Sequence, residues 1–181
     1  KFVKIRGVNN LSDARYCSGM MVNVIGFNLD TNRKDGISIE SFKAITKWIQ
    51  GPQIAGEFDD MELDLIHNYL TRIELDVIET SNPSFLAPLL DSGKEIYLKI
   101  NLDSIADEKA LFNKIKEGQI AHKIVICSSG KSYDKPLLKN LRNHFKKDEQ
   151  IINGFNLDLN QIDFWPAIEI IASPEGKTGY K

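Results

Sequence analysis

The chain has 181 residues, 42% of them apolar, with 23 Lys and Arg set against 25 Asp and Glu for a formal charge of −2. That length suits one compact domain with a substantial core, and the evenly mixed charge excludes the electrostatic footprint of a nucleic-acid or anionic-membrane binder. Two cysteines, Cys17 and Cys127, exclude a disulfide framework and a Cys/His zinc site. No apolar run reaches the ~20 residues of a membrane span, and no signal-peptide core opens the chain, so a cytoplasmic setting is expected.

Short β-branched runs alternate with helical patterns throughout. Strands are predicted at Phe2–Arg6, Val22–Asn28, Gln53–Phe58, Ile73–Glu79, Glu95–Asn101, Lys123–Cys127, Gln150–Gly154 and Ala167–Ala172. Asn10 with Ser12 and Asp13, Ser38 with Glu40, and Asp59 or Asp60 read as starts of the first three helices. Gly19, Gly51, Gly93 and Gly118 read as their left-handed stops. Pro88 limits the segment from Asn82 to Leu90 to a short fourth helix. Eight strands with crossover helices predict an α/β fold of the (β/α)8 TIM-barrel type, a single domain over residues 1–181. About ten residues follow the eighth strand, so the final helix is expected to be absent or to lie beyond the given chain, with Ile168 and Ile170 on the outward face.

Barrel chemistry gathers at the C-terminal strand ends. Here those ends offer Arg6, Asn28, Glu57, Glu79, Asn101, Cys127, Asn153 and Ser173, with Lys131 in the sixth loop. A polar rim of mixed sign suits an anionic or zwitterionic ligand, although strand-end polar residues also mark the plain exit from core to solvent. Lys4 and Lys99 fall on inward or near-inward positions. The scattered histidines, His67, His122 and His144, are expected at the surface, and neither a metal nor a cofactor is expected.

Several motifs resemble the phosphoribosylanthranilate isomerases of tryptophan biosynthesis. Lys4-Ile5-Arg6-Gly7 is similar to that family's opening Lys-Ile-Cys-Gly, with arginine in place of the cysteine. Gly26-Phe27 resembles its second-strand Gly-Phe, Arg33 with Ile37-Ser38 its Ser-x-Arg-x-Ile-Ser loop, and Ala55-Gly56-Glu57-Phe58 its Val-Gly-Val-Phe. Glu79-Thr80-Ser81-Asn82 stands where the family has Gln-Leu-His-Gly, and the stretch from Ile151 to Leu157 stands where it has Leu-Ala-Gly-Gly-Leu. From Glu169 the chain follows the family's closing segment without a gap, retaining Glu175, Gly179 and Lys181.

The resemblance implies an Amadori rearrangement of N-(5-phosphoribosyl)anthranilate, an intramolecular oxidoreduction driven by one base and one acid. The base position is Arg6 and the acid position is Cys127. Arginine stays protonated and has no lone pair to accept a proton. Losing both groups should leave little of the original reaction, since each contributes roughly 10²–10⁴-fold. Cys127 is read either as a thiol activated by Arg6 or as a small buried residue filling space. Arg6 is read either as an anchor for a ligand carboxylate or phosphate, or as half of an internal salt bridge to Glu57, Glu79 or Glu169. By the same resemblance Arg33, Asn153, Gly154, Ser173 and Glu175 are ligand-binding candidates. The expected partner is a small phosphorylated or carboxylate metabolite, with no nucleic acid or membrane, and a homodimer is entertained. The alternative is a non-catalytic barrel that binds such a metabolite or a protein.

Overall fold

The computed structural model of the chain describes residues 1–128, 140–141, 150–155 and 165–172. Eight parallel strands close into a barrel in chain order. They are β1 (Phe2–Arg6), β2 (Val24–Asn28), β3 (Gln53–Glu57), β4 (Val77–Thr80), β5 (Glu95–Asn101), β6 (Lys123–Cys127), β7 (Ile151–Gly154) and β8 (Ala167–Ile171). Five α-helices are described outside them: α1 (Leu11–Gly19), α2 (Ile39–Thr46), α3 (Leu63–Leu70), α4 (Leu86–Leu90) and α5 (Glu108–Glu117). None is long and apolar enough to cross a membrane. Closure is made by β1 and β8, paired from Phe2 with Ala167 to Arg6 with Ile171.

The helix starts follow side-chain chemistry in part. Asn10 accepts from Asp13 N and Ser38 from Ser41 N, each satisfying an amide that the first turn leaves free. The third start differs from expectation. Glu62, not Asp59 or Asp60, occupies the N-cap of α3 and makes no side-chain cap bond. Asp59 is held elsewhere, its backbone carbonyl accepting from Ser81 N at 2.9 Å. Of the expected glycine stops, Gly51 and Gly93 have positive φ, at 104° and 69°, as a left-handed turn requires. Gly118 does not, with φ −80°; a Cβ there would lie 2.6 Å from Leu98 Cδ2, so the requirement is close packing. After α1 the left-handed residue is Met21, at φ 55°, and not Gly19. The fourth helix is short, with Pro88 in its first turn, where the missing N–H costs nothing.

β4 begins four residues later than predicted. Ile73 N still donates to Tyr69 O as the end of the helical turn, and pairing starts only after Asp76 binds Ile54. Outside the strands, the aliphatic layer buries Ile25, Phe27, Ile78, Leu98, Ile126 and Ile168 against the helices. Ile168 is therefore covered, whereas Ile170 is 40% exposed on the same face.

Inside the barrel, side chains two residues apart on a strand face the same way, so the interior stacks in tiers. The lowest tier takes one residue from each strand: Phe2, Val24, Ala55, Val77, Tyr97, Val125, Ile152 and Ala167. It is an apolar plug. Two residues further along every strand lie Lys4, Gly26, Glu57, Glu79, Lys99, Cys127, Gly154 and Glu169. This tier is charged and almost wholly buried.

Candidate functional site

The charged tier is organised by Lys4. Its ammonium, fully buried, lies 2.9 Å from Glu57 Oε1, 2.9 Å from Glu79 Oε2 and 2.5 Å from Glu169 Oε2. It donates hydrogen bonds to Glu57 and Glu169. Glu79 is held by charge alone, since neither of its oxygens meets hydrogen-bond geometry. Glu57 and Glu79 are register neighbours on β3 and β4, and like charges so placed repel unless a cation lies between them. Lys4 supplies it. Two glycines leave the space: a Cβ on Gly26 would collide with Glu57 Oε1, and one on Gly154 would come within 3.0 Å of Glu169 Oε1.

Three carboxylates around one point also resemble a metal site, and oxygens of Glu57, Glu79 and Glu169 lie within 4.8 Å of one another. The Lys4 ammonium already fills the centre, so the built-in cation does the work that a bound one would do.

Above this tier the strand ends open into a cleft of about 410 Å³. Its floor continues the same alternation: Arg6, Asn28, Asp59, Ser81 and Asn101, each two positions beyond a charged-tier residue. Glu57 and Lys99 reach up from below, and Arg33, Asp35 and Lys114 enter from the sides. Arg6 Nε lies 3.2 Å from Glu169 Oε1 while its side chain stays 18% exposed. Arg6 is thus salt-bridged inward to Glu169 and also lines the cleft. Burial would lower its pKa, but Glu169 together with Cys127, Glu57 and Glu79 raises it, so the guanidinium stays charged.

Lys99 bridges the tiers. Nζ donates to Asp59 Oδ1 at 2.7 Å and lies 4.0 Å from Glu79 Oε1. Burial opposes its charge, yet Glu79 and Asp59 prevail and its pKa is raised, which removes the neutral amine that a Schiff base needs. Asp59 is pushed in the other direction: burial acts to raise it, and Lys99 and Arg33 pull it below the usual range. Its φ of 43° is a conformation that side chains other than those of Gly, Asn and Asp seldom tolerate.

Cys127 is 2% exposed, and burial pushes its thiol up to about 12 despite Lys99 nearby. It occupies the charged tier as a small filler, and the activated-thiol reading is not what the geometry favours. Alkylation by iodoacetamide at neutral pH should therefore be slow at Cys127, with a thiolate population roughly a thousandfold below that of an ordinary thiol. Mass mapping of the labelled peptide checks this; labelling at the rate of a free thiol would refute it.

The remaining candidates divide. Arg33 lines the cleft, with Nη2 3.6 Å from Asp60 and 3.8 Å from Asp59. Asn153 is buried outside the barrel's inward phase, and its Oδ1 accepts from Phe155 N, so it caps the end of β7 instead of facing the cleft. Gly154 faces inward and accommodates Glu169. Ser173, Glu175, Lys131 and His144 lie outside the described residues. His67 and His122 are exposed, as expected.

Sequence reasoning missed Asp59 and Asp35 as cleft residues. Two-residue alternation beyond Glu57 could have found Asp59. Asp35 carries no such signal, since a loop brings it to Asn28, whose Nδ2 donates to its Oδ1 at 2.9 Å.

No family model and no curated protein matches the chain. Solved structures do. A crystal structure of the dimeric phosphoribosylanthranilate isomerase of Thermotoga maritima, solved as generated monomers, superposes with a TM-score of 0.75. Identity is 19% over 99% of this chain and 91% of that one. The Thermus thermophilus phosphoribosylanthranilate isomerase gives 0.75 at 18% identity, over 100% and 92%. The fold is that of phosphoribosylanthranilate isomerase. A 3-hexulose-6-phosphate synthase also superposes, at a TM-score of 0.66 and 11% identity over 94% and 90% of the two chains, so at this level of identity the shared frame speaks for the fold alone.

Proposed function

We propose that this chain is a diverged relative of the phosphoribosylanthranilate isomerases, and that its barrel mouth binds a small phosphorylated or carboxylate metabolite. The family's two proton-transfer groups are replaced in it. The observation that carries the reading is Arg6: a permanent cation, anchored by Glu169 and still presented to the cleft. A guanidinium fixed in this way binds carboxylate or phosphate without further ordering of its side chain.

The Amadori rearrangement asks for something else, namely groups that give up and accept protons near neutrality. Arg6 holds its proton, and the thiol of Cys127 is pushed up to about 12. Glu57, the charged-tier carboxylate that reaches the cleft, is tied to Lys4 at 2.9 Å. Binding thus fits the cleft better than the original chemistry.

Two measurements on the purified chain test this. Inorganic phosphate should raise the melting temperature in a concentration-dependent manner, as a ligand of the native state must, and Arg6→Gln should abolish the rise. N-(5-phosphoribosyl)anthranilate should not be turned over above the uncatalysed rate. Turnover, or a melting temperature indifferent to phosphate and to small carboxylates alike, would overturn the proposal.

A further inference from the structure

Among the described residues, four acidic side chains share the cleft with four cations, an arrangement that a site for a bare anion does not need. Asp59 is paired with Lys99 and Arg33 and Asp60 with Arg33, Asp35 accepts from Asn28, and Glu57 lines the cleft with Arg6 and Lys114. Carboxylates accept hydrogen bonds and repel negative charge, so they are tolerated next to an anionic ligand only where the ligand turns donors toward them. Hydroxyl groups are such donors. Asn28, Ser81, Asn101, Ser104 and Ser128 add neutral groups that exchange hydrogen bonds with hydroxyls in either direction.

The second observation concerns what the cleft lacks. Among the described residues, no aromatic or aliphatic side chain lines it, and the Cys127 thiol is the least polar group there. The rings lie elsewhere. Phe27 packs edge-on against Phe42 and Phe58 against Tyr69, in the layer between strands and helices, and Tyr97 belongs to the plug beneath the charged tier. Sites for flat or apolar ligands are lined mainly by hydrophobic and aromatic groups, with a few polar ones for orientation. This cleft inverts that proportion.

We infer that the ligand is a polyhydroxylated anion without an aryl part, of the sugar-phosphate or sugar-acid class, its negative group at Arg6 and its hydroxyls toward Asp35 and Asp59. The inference rests on the anion site proposed above and narrows it. It sets this cleft apart from one that accepts an N-aryl substrate.

Calorimetric titration of the purified chain with inorganic phosphate, ribose 5-phosphate, phenyl phosphate and ribitol separates the outcomes. Ribose 5-phosphate should bind at least tenfold more tightly than phenyl phosphate or phosphate alone. Asp35→Asn should weaken ribose 5-phosphate severalfold and leave inorganic phosphate unchanged or tighter, because it removes a hydroxyl acceptor and a repelling charge together. Phenyl phosphate binding as tightly as ribose 5-phosphate would overturn the inference while the anion site stands. Ribitol binding with no response to any phosphate would overturn the anion site and, with it, the inference of a polyhydroxylated anion. Silence toward all four would overturn both.

Discussion

Lys4→Met should be the most damaging single substitution in the barrel interior, costing about 3–5 kcal/mol of stability at neutral pH. The substitution preserves volume and removes a cation that lies within 3 Å of Glu57, Glu79 and Glu169 at once. What remains is three carboxylates in a space closed below by the apolar plug, and a buried charge without its partner is far costlier than the pair is worth. The pH dependence has a definite sign. Burial acts against the Lys4 ammonium, but Glu169, Glu57 and Glu79 together raise its pKa well above its ordinary value. Its stabilising effect is therefore complete below the unfolded-state pKa and is lost only as pH rises through the still higher folded value. The deficit in Lys4→Met should accordingly shrink from pH 8 to pH 5, as the abandoned carboxylates take up protons. Urea denaturation at both pH values measures it. A loss under 1 kcal/mol at pH 8 would show that the tier is not held by this ion pairing, and Lys4→Met with Glu57→Gln should cost less than the two changes summed.

The second large effect belongs to Glu79. Among the described residues, Lys4 is shared by Glu57, Glu79 and Glu169, Arg6 lies on Glu169, and Lys99 sits 2.7 Å from Asp59 but 4.0 Å from Glu79, so Glu79 is left in an excess of negative charge. Glu79 bears the excess: burial first, then Glu169 and Glu57, raise it to about 7 against the pull of Lys4. With a folded pKa above the unfolded one, the native state binds more protons between pH 4.5 and 7, and stability must fall as pH rises through that window. The fall should be on the order of 3 kcal/mol and level off above pH 7. Glu79→Gln keeps the shape and fixes the group in its neutral form. It should flatten the curve between pH 4.5 and 7 and be more stable than the parent at pH 8, by urea denaturation across the range. An unchanged pH profile in the variant would assign the slope to another group. Asp59 runs oppositely, its lowered pKa giving stability that is lost as pH falls through its folded value, and this places its effect below the window used for Glu79.

The eight strands were legible because most carry a β-branched or aliphatic run bounded by a polar exit, and because their motifs follow the order of the resembled family from end to end. Arg6 was legible as a site residue because it closes an apolar strand and stands where the resembled family has its cysteine. Glu57 and Glu79 looked like the same kind of polar exit and are not. They lie one tier below the mouth, 2% and 0% exposed, because closure of the barrel gathers them with Glu169 around Lys4 directly above the apolar plug. Asp59 was misread as a helix cap, a role its residue type suits equally well until Lys99 is seen 2.7 Å away.

Local pattern alone thus determined the α/β alternation and the two lysines that point inside, because side-chain period and apolar runs are properties of neighbouring residues. Which inward residues meet was decided only by closure. Lys4 reaches Glu169 across β1 and β8, 165 positions apart, and Glu57 across 53. No spacing along the chain encodes such a meeting. The register of eight strands around a common axis does, and it turns separate charges into a paired tier beneath a polar cleft.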